Sequence, residues 1–406
     1  MKKVIVKPNS RQNLAKIAIA VVLLLIVVIA PLLKMATVGA VEDSPNSSLT
    51  DSINDQLKGI DLSDFDKIIS SMGSSEKGIF SSNSFLDKVK DVLSGKTEIN
   101  FSSISSAIFS LLSGYIVSVL PLLCAILGIG ILSSIITQTS YSKDKTIADI
   151  IHFVCYGIII TLVFSATAKV IKTTSQTILS LRDQMEIGFP ILLTLMTAIG
   201  SNVSVGVYQP VVAILSGSIM TIFSNFIMPL FIFCLVFTVA GNLSNDIKLN
   251  KFSSLFQNIF KWTIGLVFTL FSAFLVVQGV TAGSFDGLSV RTTKYAIKSY
   301  IPFVGSYLAD GLNLILTSSI LIKNSVGMVG LILLIITMLS PILNILILKL
   351  CLSLSASILE PICDKRICSF LSSVSKCLSM LIATICCAGF AYLITVGLIM
   401  CTGNAI

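Results

Sequence analysis

The side chains best suited to metal or nucleophilic chemistry are sparse in this chain: one histidine, His152, and ten cysteines. A protein zinc site needs ligands at set spacings, and the sequence has no HExxH, no paired histidines and no Cys/His zinc pattern. Cys363 and Cys368 have four residues between them and no second pair to complete a site. Cys124, Cys155, Cys234, Cys351, Cys377, Cys386, Cys387 and Cys401 lie in or beside apolar runs, where cysteine acts as a small apolar residue. Gly95-Lys96-Thr97 ends like a phosphate-binding loop, but the position that needs the first glycine is Lys90. No GxSxG occurs. His152 opens an apolar span and reads as an interfacial polar residue rather than a base. No catalytic, cofactor-binding or metal site is expected, and the chain does not read as an enzyme.

Asp310 is the sharper candidate. It is the only carboxylate inside an apolar span, with Asn313 three residues on. An acid at the bilayer centre costs about 2.5–3.5 kcal/mol on insertion scales, so it points to function by default. One reading makes it a polar group lining a pore or substrate path. The other makes 299–322 a re-entrant or interfacial segment, broken by Pro302 and Gly305, with Asp310 near water or capping a helix before Gly311. The second is favoured. Asn202, Gln209, Asn225, Gln278 and Asn344 are further polar groups in or near spans, of the kind that join helices by hydrogen bonds. Gly128, Gly130, Gly327 and Gly330 are read as sites of close helix packing.

The elements that must position these groups are set by an asymmetry. Residues 41–100 hold 11 of the 20 carboxylates and 6 of the 28 basic residues. The rest of the chain recurs as apolar runs between short basic loops. Overall 54% of residues are hydrophobic and 12% charged, about half the charged share of a soluble domain. A hydrocarbon core takes about 20 helical residues to cross. The expected fold is an all-α polytopic membrane protein with about seven or eight transmembrane or re-entrant helices. The net charge of +8 comes from basic residues scattered singly, so loop positives that set orientation explain it better than nucleic-acid binding.

Four parts follow. Residues 1–40 read as a signal peptide or an uncleaved signal anchor: five basic residues precede the apolar run Ile17–Leu33, and Val38-Gly39-Ala40 offers a cleavage site. Residues 41–106 form a polar, acidic, extracytoplasmic region. Within it Ile53, Leu57 and Ile60, then Phe65, Ile68 and Ile69, then Phe85, Leu86, Val89, Val92 and Leu93 fall at helical spacing. So short a region buries little core alone and is expected to pack on the membrane part or on a partner. Residues 107–401 form the polytopic domain, with spans near 107–136, 150–168, 187–207, 211–240, 262–280, 299–322, 326–348 and 377–401. Residues 402–406 are a short tail. The 211–240 run contains Asn225 and Pro229 and is either one kinked helix or two pieces. The segments 170–186 and 246–261 are amphipathic and either lie on the membrane surface or cover neighbouring helices. Loops 137–149, 281–298 and 349–376 carry basic residues, and the last two share a side if 299–322 and 326–348 form a hairpin.

The stretch from Asp286-Gly287 through Arg291, Lys294-Tyr295-Ala296-Ile297, Tyr300-Ile301-Pro302 and Gly305 to Asp310, followed by Lys323-Asn324-Ser-Val326-Gly327, is distinctive. With Gly188-Phe-Pro190 and Tyr208-Gln209-Pro210, it resembles the stage III sporulation protein AE family of endospore-forming bacteria. The resemblance covers roughly residues 150–400. It implies a non-enzymatic subunit of a secretion-like channel between mother cell and engulfed forespore, sitting in the mother-cell membrane. It also implies partners: other products of the same operon, among them a secretion-type ATPase and ring-forming proteins, and a forespore membrane channel protein. The lipid bilayer is a further expected contact; no cofactor and no nucleic acid are. The candidate channel or assembly residues are Asp286, Arg291, Lys294, Pro302, Gly305, Asp310, Asn313, Lys323 and Asn324. An independent small-solute permease and a membrane scaffold for other channel components are the alternatives.

Overall fold

The computed structural model describes residues 47–80, 84–94, 101–141, 145–243, 251–273, 292, 295 and 305–402. The leader read over 1–40 lies outside them. Among the described residues the chain is helical, without strands. Four short helices come first: α1 (Ser47–Lys58), α2 (Ser63–Ser71), α3 (Ser74–Phe80) and α4 (Phe85–Leu93). Long apolar rods follow: α5 (Phe101–Tyr141), α6 (Lys145–Ala198), α7 (202–243), α8 (251–273), α9 (Gly305–Leu359) and α10 (Lys365–Cys401). Five segments, on α5, α6, α7, α9 and α10, are long and apolar enough to cross a membrane. The protein is an all-α polytopic membrane protein.

The helices are longer than hydropathy windows suggest. α6 has 54 residues and α9 has 55. At 1.5 Å per residue α9 spans about 80 Å, against a hydrocarbon core of about 30 Å. From Gly305 on, the spans expected at 299–322 and 326–348 are one helix, so no hairpin turn exists at Lys323–Ser325. Likewise 150–168, the amphipathic 170–186 and the start of 187–207 are one helix. Along 170–186, Ile178, Leu181 and Met185 are buried while Lys172, Gln176 and Asp183 are exposed. That segment covers neighbouring helices, the second of its two readings. The expected basic loop 349–376 shrinks to 360–364, because Lys349 lies in α9 and Cys368 and Lys376 lie in α10.

Prolines interrupt the rods without ending them. Pro121, Pro190 and Pro341 sit inside α5, α6 and α9. α7 is one kinked rod: α-helix over Asn202–Ala213, π-turns over Ile214–Ile219 and Phe223–Ile227, and α-helix again over Met228–Leu243. A proline ring clashes with the carbonyl four residues back, and a widened turn relieves that clash. The second π-turn contains Asn225, which is four residues before Pro229. Threonines inside the rods return their hydroxyls to the carbonyl four residues back, as Thr167, Thr174, Thr384 and Thr395 do at 2.7–3.0 Å. This satisfies a polar group in apolar surroundings.

α9 is the hub. From Ser318 to Lys349 none of its residues is exposed. α10 returns antiparallel to it after a turn closed by Cys363 N–H to the Leu359 carbonyl (2.7 Å) and capped by Asp364, whose carboxylate accepts from Arg366 N–H (2.9 Å). Ser375 Oγ donates to the Lys349 carbonyl (3.1 Å). Gly389 lets the pair approach closely: a Cβ there would lie 2.0 Å from Met338 Sδ, so that side chain would have to move. α6 adds Gln184 Nε2 donating to Thr337 Oγ1 (2.8 Å), and α5 adds the Tyr115–Ser340 hydroxyl pair (2.6 Å).

The acidic region folds onto this bundle. Its predicted apolar faces are the ones used: Leu57, Phe65, Ile69, Phe85 and Val89 are buried. Phe65 stacks on Phe85 with centroids 4.1 Å apart. Asp66 accepts from Phe85 N–H (2.7 Å), so a side chain of α2 caps the first turn of α4. The helices α1, α3 and α4 pack on the bundle through α9 and α5, and α2 through α6.

Candidate functional site

The best-built polar cluster lies where α9, α10 and α7 converge, under the cover of α1. Lys323, near the middle of α9, is fully buried. Its Nζ donates to the main-chain carbonyl of Thr402. Thr402 is the C-cap of α10, and its N–H donates to the Leu398 carbonyl (3.0 Å). Burying an ammonium costs several kcal/mol unless it is partnered. Here the partner is a carbonyl at the negative end of a 37-residue helix, where the dipole also favours a cation. Tyr208 of α7 brings its hydroxyl to 3.1 Å from Thr402 Oγ1. Three rods are thus tied at one point.

One turn further out, α9 meets the acidic region. Gln56 of α1 uses both ends of its amide: Nε2 donates to Ser318 Oγ (2.8 Å), and Oε1 accepts from Ser319 Oγ (2.9 Å). Ser52 Oγ stands 3.2 Å from Ser318 Oγ. On the α6 side, Phe65 lies over Gly188, where a Cβ would come within 3.1 Å of Phe65 Cζ. Next to it Phe189 and Tyr392 meet edge to face at 5.5 Å. The result is a hydrogen-bonded and aromatic clamp between a polar region and the apolar rods. Its chemistry is that of holding and transmitting position, since no nucleophile is paired with a base in it.

The sequence-predicted residues fall unevenly. Asp286, Arg291, Lys294 and Pro302 lie outside the described residues. Gly305 starts α9, and Asp310 lies in its second turn, so Asp310 caps no helix before Gly311 and the segment is not re-entrant after Gly305. Asn313 and Asn324 are half-buried on the same helix. Asp310 and Lys323 are 13 residues apart, about 20 Å along the axis, so they do not form one site. Among the described candidates, Lys323 enters the clamp. Gly130 and Gly327 are close-packing positions as expected, against Leu359 and Met400, whereas Gly128 has nothing within 4 Å. Gln56, Ser318, Ser319, Tyr208 and Thr402 were not singled out for this role. A polar triplet, Thr317-Ser318-Ser319, inside an apolar run was the available signal.

At the opposite end, Cys363 Sγ donates to the Gly130 carbonyl (3.1 Å), and burial pushes its thiol up to about 11. That makes it a poor nucleophile at neutral pH. Cys368 lies in α10 rather than in a loop.

Comparison with known proteins follows the same outline. The family described as Stage III sporulation protein AE matches residues 83–403, which takes in α4 through α10. The chain is similar to Stage III sporulation protein AE of Bacillus subtilis (strain 168), at 24% identity over 262 residues. That match covers 64% of this chain and 66% of the relative, just under two thirds of its length. No solved structure matches.

Proposed function

The chain belongs to the stage III sporulation protein AE family, a family of sporulation proteins, and from that premise we propose that it is a non-enzymatic membrane subunit of a sporulation-specific channel. The channel links the mother cell with the engulfed forespore and sustains late forespore gene expression. The chain sits in the mother-cell membrane around the forespore, with 41–106 on the extracytoplasmic side. The observation that carries this reading is the clamp. An acidic region expected to be exported is held rigidly on the ends of apolar rods that exceed the bilayer in length, with its polar face outward. A rigid outward platform suits contact with ring-forming proteins and with a forespore membrane channel protein across the gap. A secretion-type ATPase would meet the basic ends at 137–149 and 360–366.

Whether this subunit lines the path or frames it follows from α9. A pore-lining helix needs a wetted polar face, and from Ser318 to Lys349 every residue of α9 is buried or half-buried in the bundle, none being exposed. Framing, the scaffold alternative within the same channel, is favoured for that stretch. The test is complementation of a null strain with Asp310→Asn and, separately, Arg291→Ala, at matched protein level. Loss of late forespore expression supports a role in the path for those residues. Full expression in both, with Lys323→Ala failing to assemble, supports framing. A tagged copy spread evenly over growing cells contradicts both.

A further inference from the structure

The face of α8 opposite its packing partners carries an open groove. Inward, Phe252 and Phe256 meet Phe237 of α7 at 5.9 and 5.0 Å, Phe260 is buried, and Phe268 stands 5.5 Å from Phe390 of α10. Outward, Lys251, Ser254, Leu255, Asn258, Ile259 and Trp262 line a groove of about 620 Å³. That is the size of a small-molecule site. Trp262 is 79% exposed.

The groove has two chemistries in parallel stripes at helical spacing. Lys251, Ser254, Asn258 and the exposed Lys261 form a polar, cationic stripe. Leu255, Ile259, Trp262, Leu266 and Leu270 form an apolar one, all exposed. α8 contains no aspartate or glutamate. Phe233 of α7, 6.1 Å from Phe256 of α8, and Val236 are exposed apolar residues of a neighbouring candidate membrane span. The occupant must therefore match a cation and an apolar track at once, and it must come from the bilayer.

We propose that this groove binds an anionic phospholipid, with the headgroup phosphate at Lys251 and an acyl chain along Leu255, Ile259 and Trp262, while Lys261, about 15 Å further along the helix, adds to the positive field. A free anion would leave the apolar stripe in water. A net-neutral lipid would bring no countercharge to the cationic stripe. A basic side chain near a membrane surface favours anionic lipid by about 1 kcal/mol, and tryptophan anchors at the same depth.

Trp262 is the chain's only tryptophan, so its emission reports on this groove alone. The experiment places the full chain in nanodiscs and titrates acyl-brominated phosphatidylglycerol or acyl-brominated phosphatidylcholine against Trp262 fluorescence. Half-maximal quenching by the anionic lipid is expected at a mole fraction about fivefold lower than for the zwitterionic one. Lys251→Gln with Lys261→Gln should bring the two titrations together while quenching persists. Asn258→Asp, which adds a carboxylate to the cationic stripe, should narrow the gap in the same way. Equal quenching in the unaltered chain, no quenching by either lipid because protein covers the groove, or a preference that survives both variants would overturn the proposal.

Discussion

The two ends of the α9–α10 pair place opposite kinds of residue where a soluble protein would not. Toward the 360–364 turn, Leu350, Leu354, Ile358 and Ile362 are exposed, each at about half of its surface or a little less. Toward Thr402, the same helix buries Ser318, Ser319 and even Lys323. Apolar side chains facing outward are stable only against lipid, whereas polar groups facing inward are stable only with partners. The first end presents an apolar face suited to lipid, and the second is covered by the protein itself, through α1–α4, Tyr208 and Thr402.

The contrast can be broken most severely at the cover. Phe85 is fully buried and stacked on Phe65. Phe85→Ala should cost about 3–5 kcal/mol, read as release of α1–α4 to limited proteolysis while α5–α10 stay protected. Lys323→Ala removes the tie to Thr402 and opens a cavity, at about 3 kcal/mol in chemical unfolding. Lys323→Met keeps the volume and leaves only an orphaned carbonyl, so its cost should be about half as large. Equal effects would mean that volume is irrelevant and the ammonium alone matters.

Gln56→Ala is milder, because Ser318 and Ser319 keep hydrogen bonds to the Ile315 carbonyl at 2.9 and 2.8 Å. About 1 kcal/mol is expected, visible as faster amide exchange confined to α1. At the bare end, Leu354→Ala should change stability in lipid by less than about 0.5 kcal/mol, since lipid tails are as apolar as leucine. A large effect there would place a protein contact, not lipid, on that surface.

Much of this was legible in the sequence. The faces of α2 and α4 follow from the spacing of Phe65, Ile69, Phe85 and Val89, and the spacing of Ile178, Leu181 and Met185 marks the amphipathic stretch while leaving open whether it lies on the membrane or covers neighbouring helices. The division of the apolar rods was not. A hydropathy window ends a span at Lys169 or Lys323, yet α6 runs on because Lys172 and Asp183 can face outward, and α9 runs on because Lys323 finds a carbonyl. The clamp escaped for a different reason. Gln56 and Ser318 are 262 residues apart, and nothing local in either neighbourhood names the other. Local pattern reports which face of a helix is apolar; it does not report which distant helix receives it.

The central claim is that the acidic region is fixed to α9 at Ser318 and Ser319. Ser52 and Ser318 test it most directly, since their hydroxyls already stand 3.2 Å apart and cysteine is nearly isosteric with serine. Ser52→Cys with Ser318→Cys, in native membranes under mild oxidation, should yield an intramolecular disulfide identified by peptide mass spectrometry, and Ser52→Cys with Leu354→Cys should yield none. Absence of the first cross-link, or equal yield of both, would contradict the account.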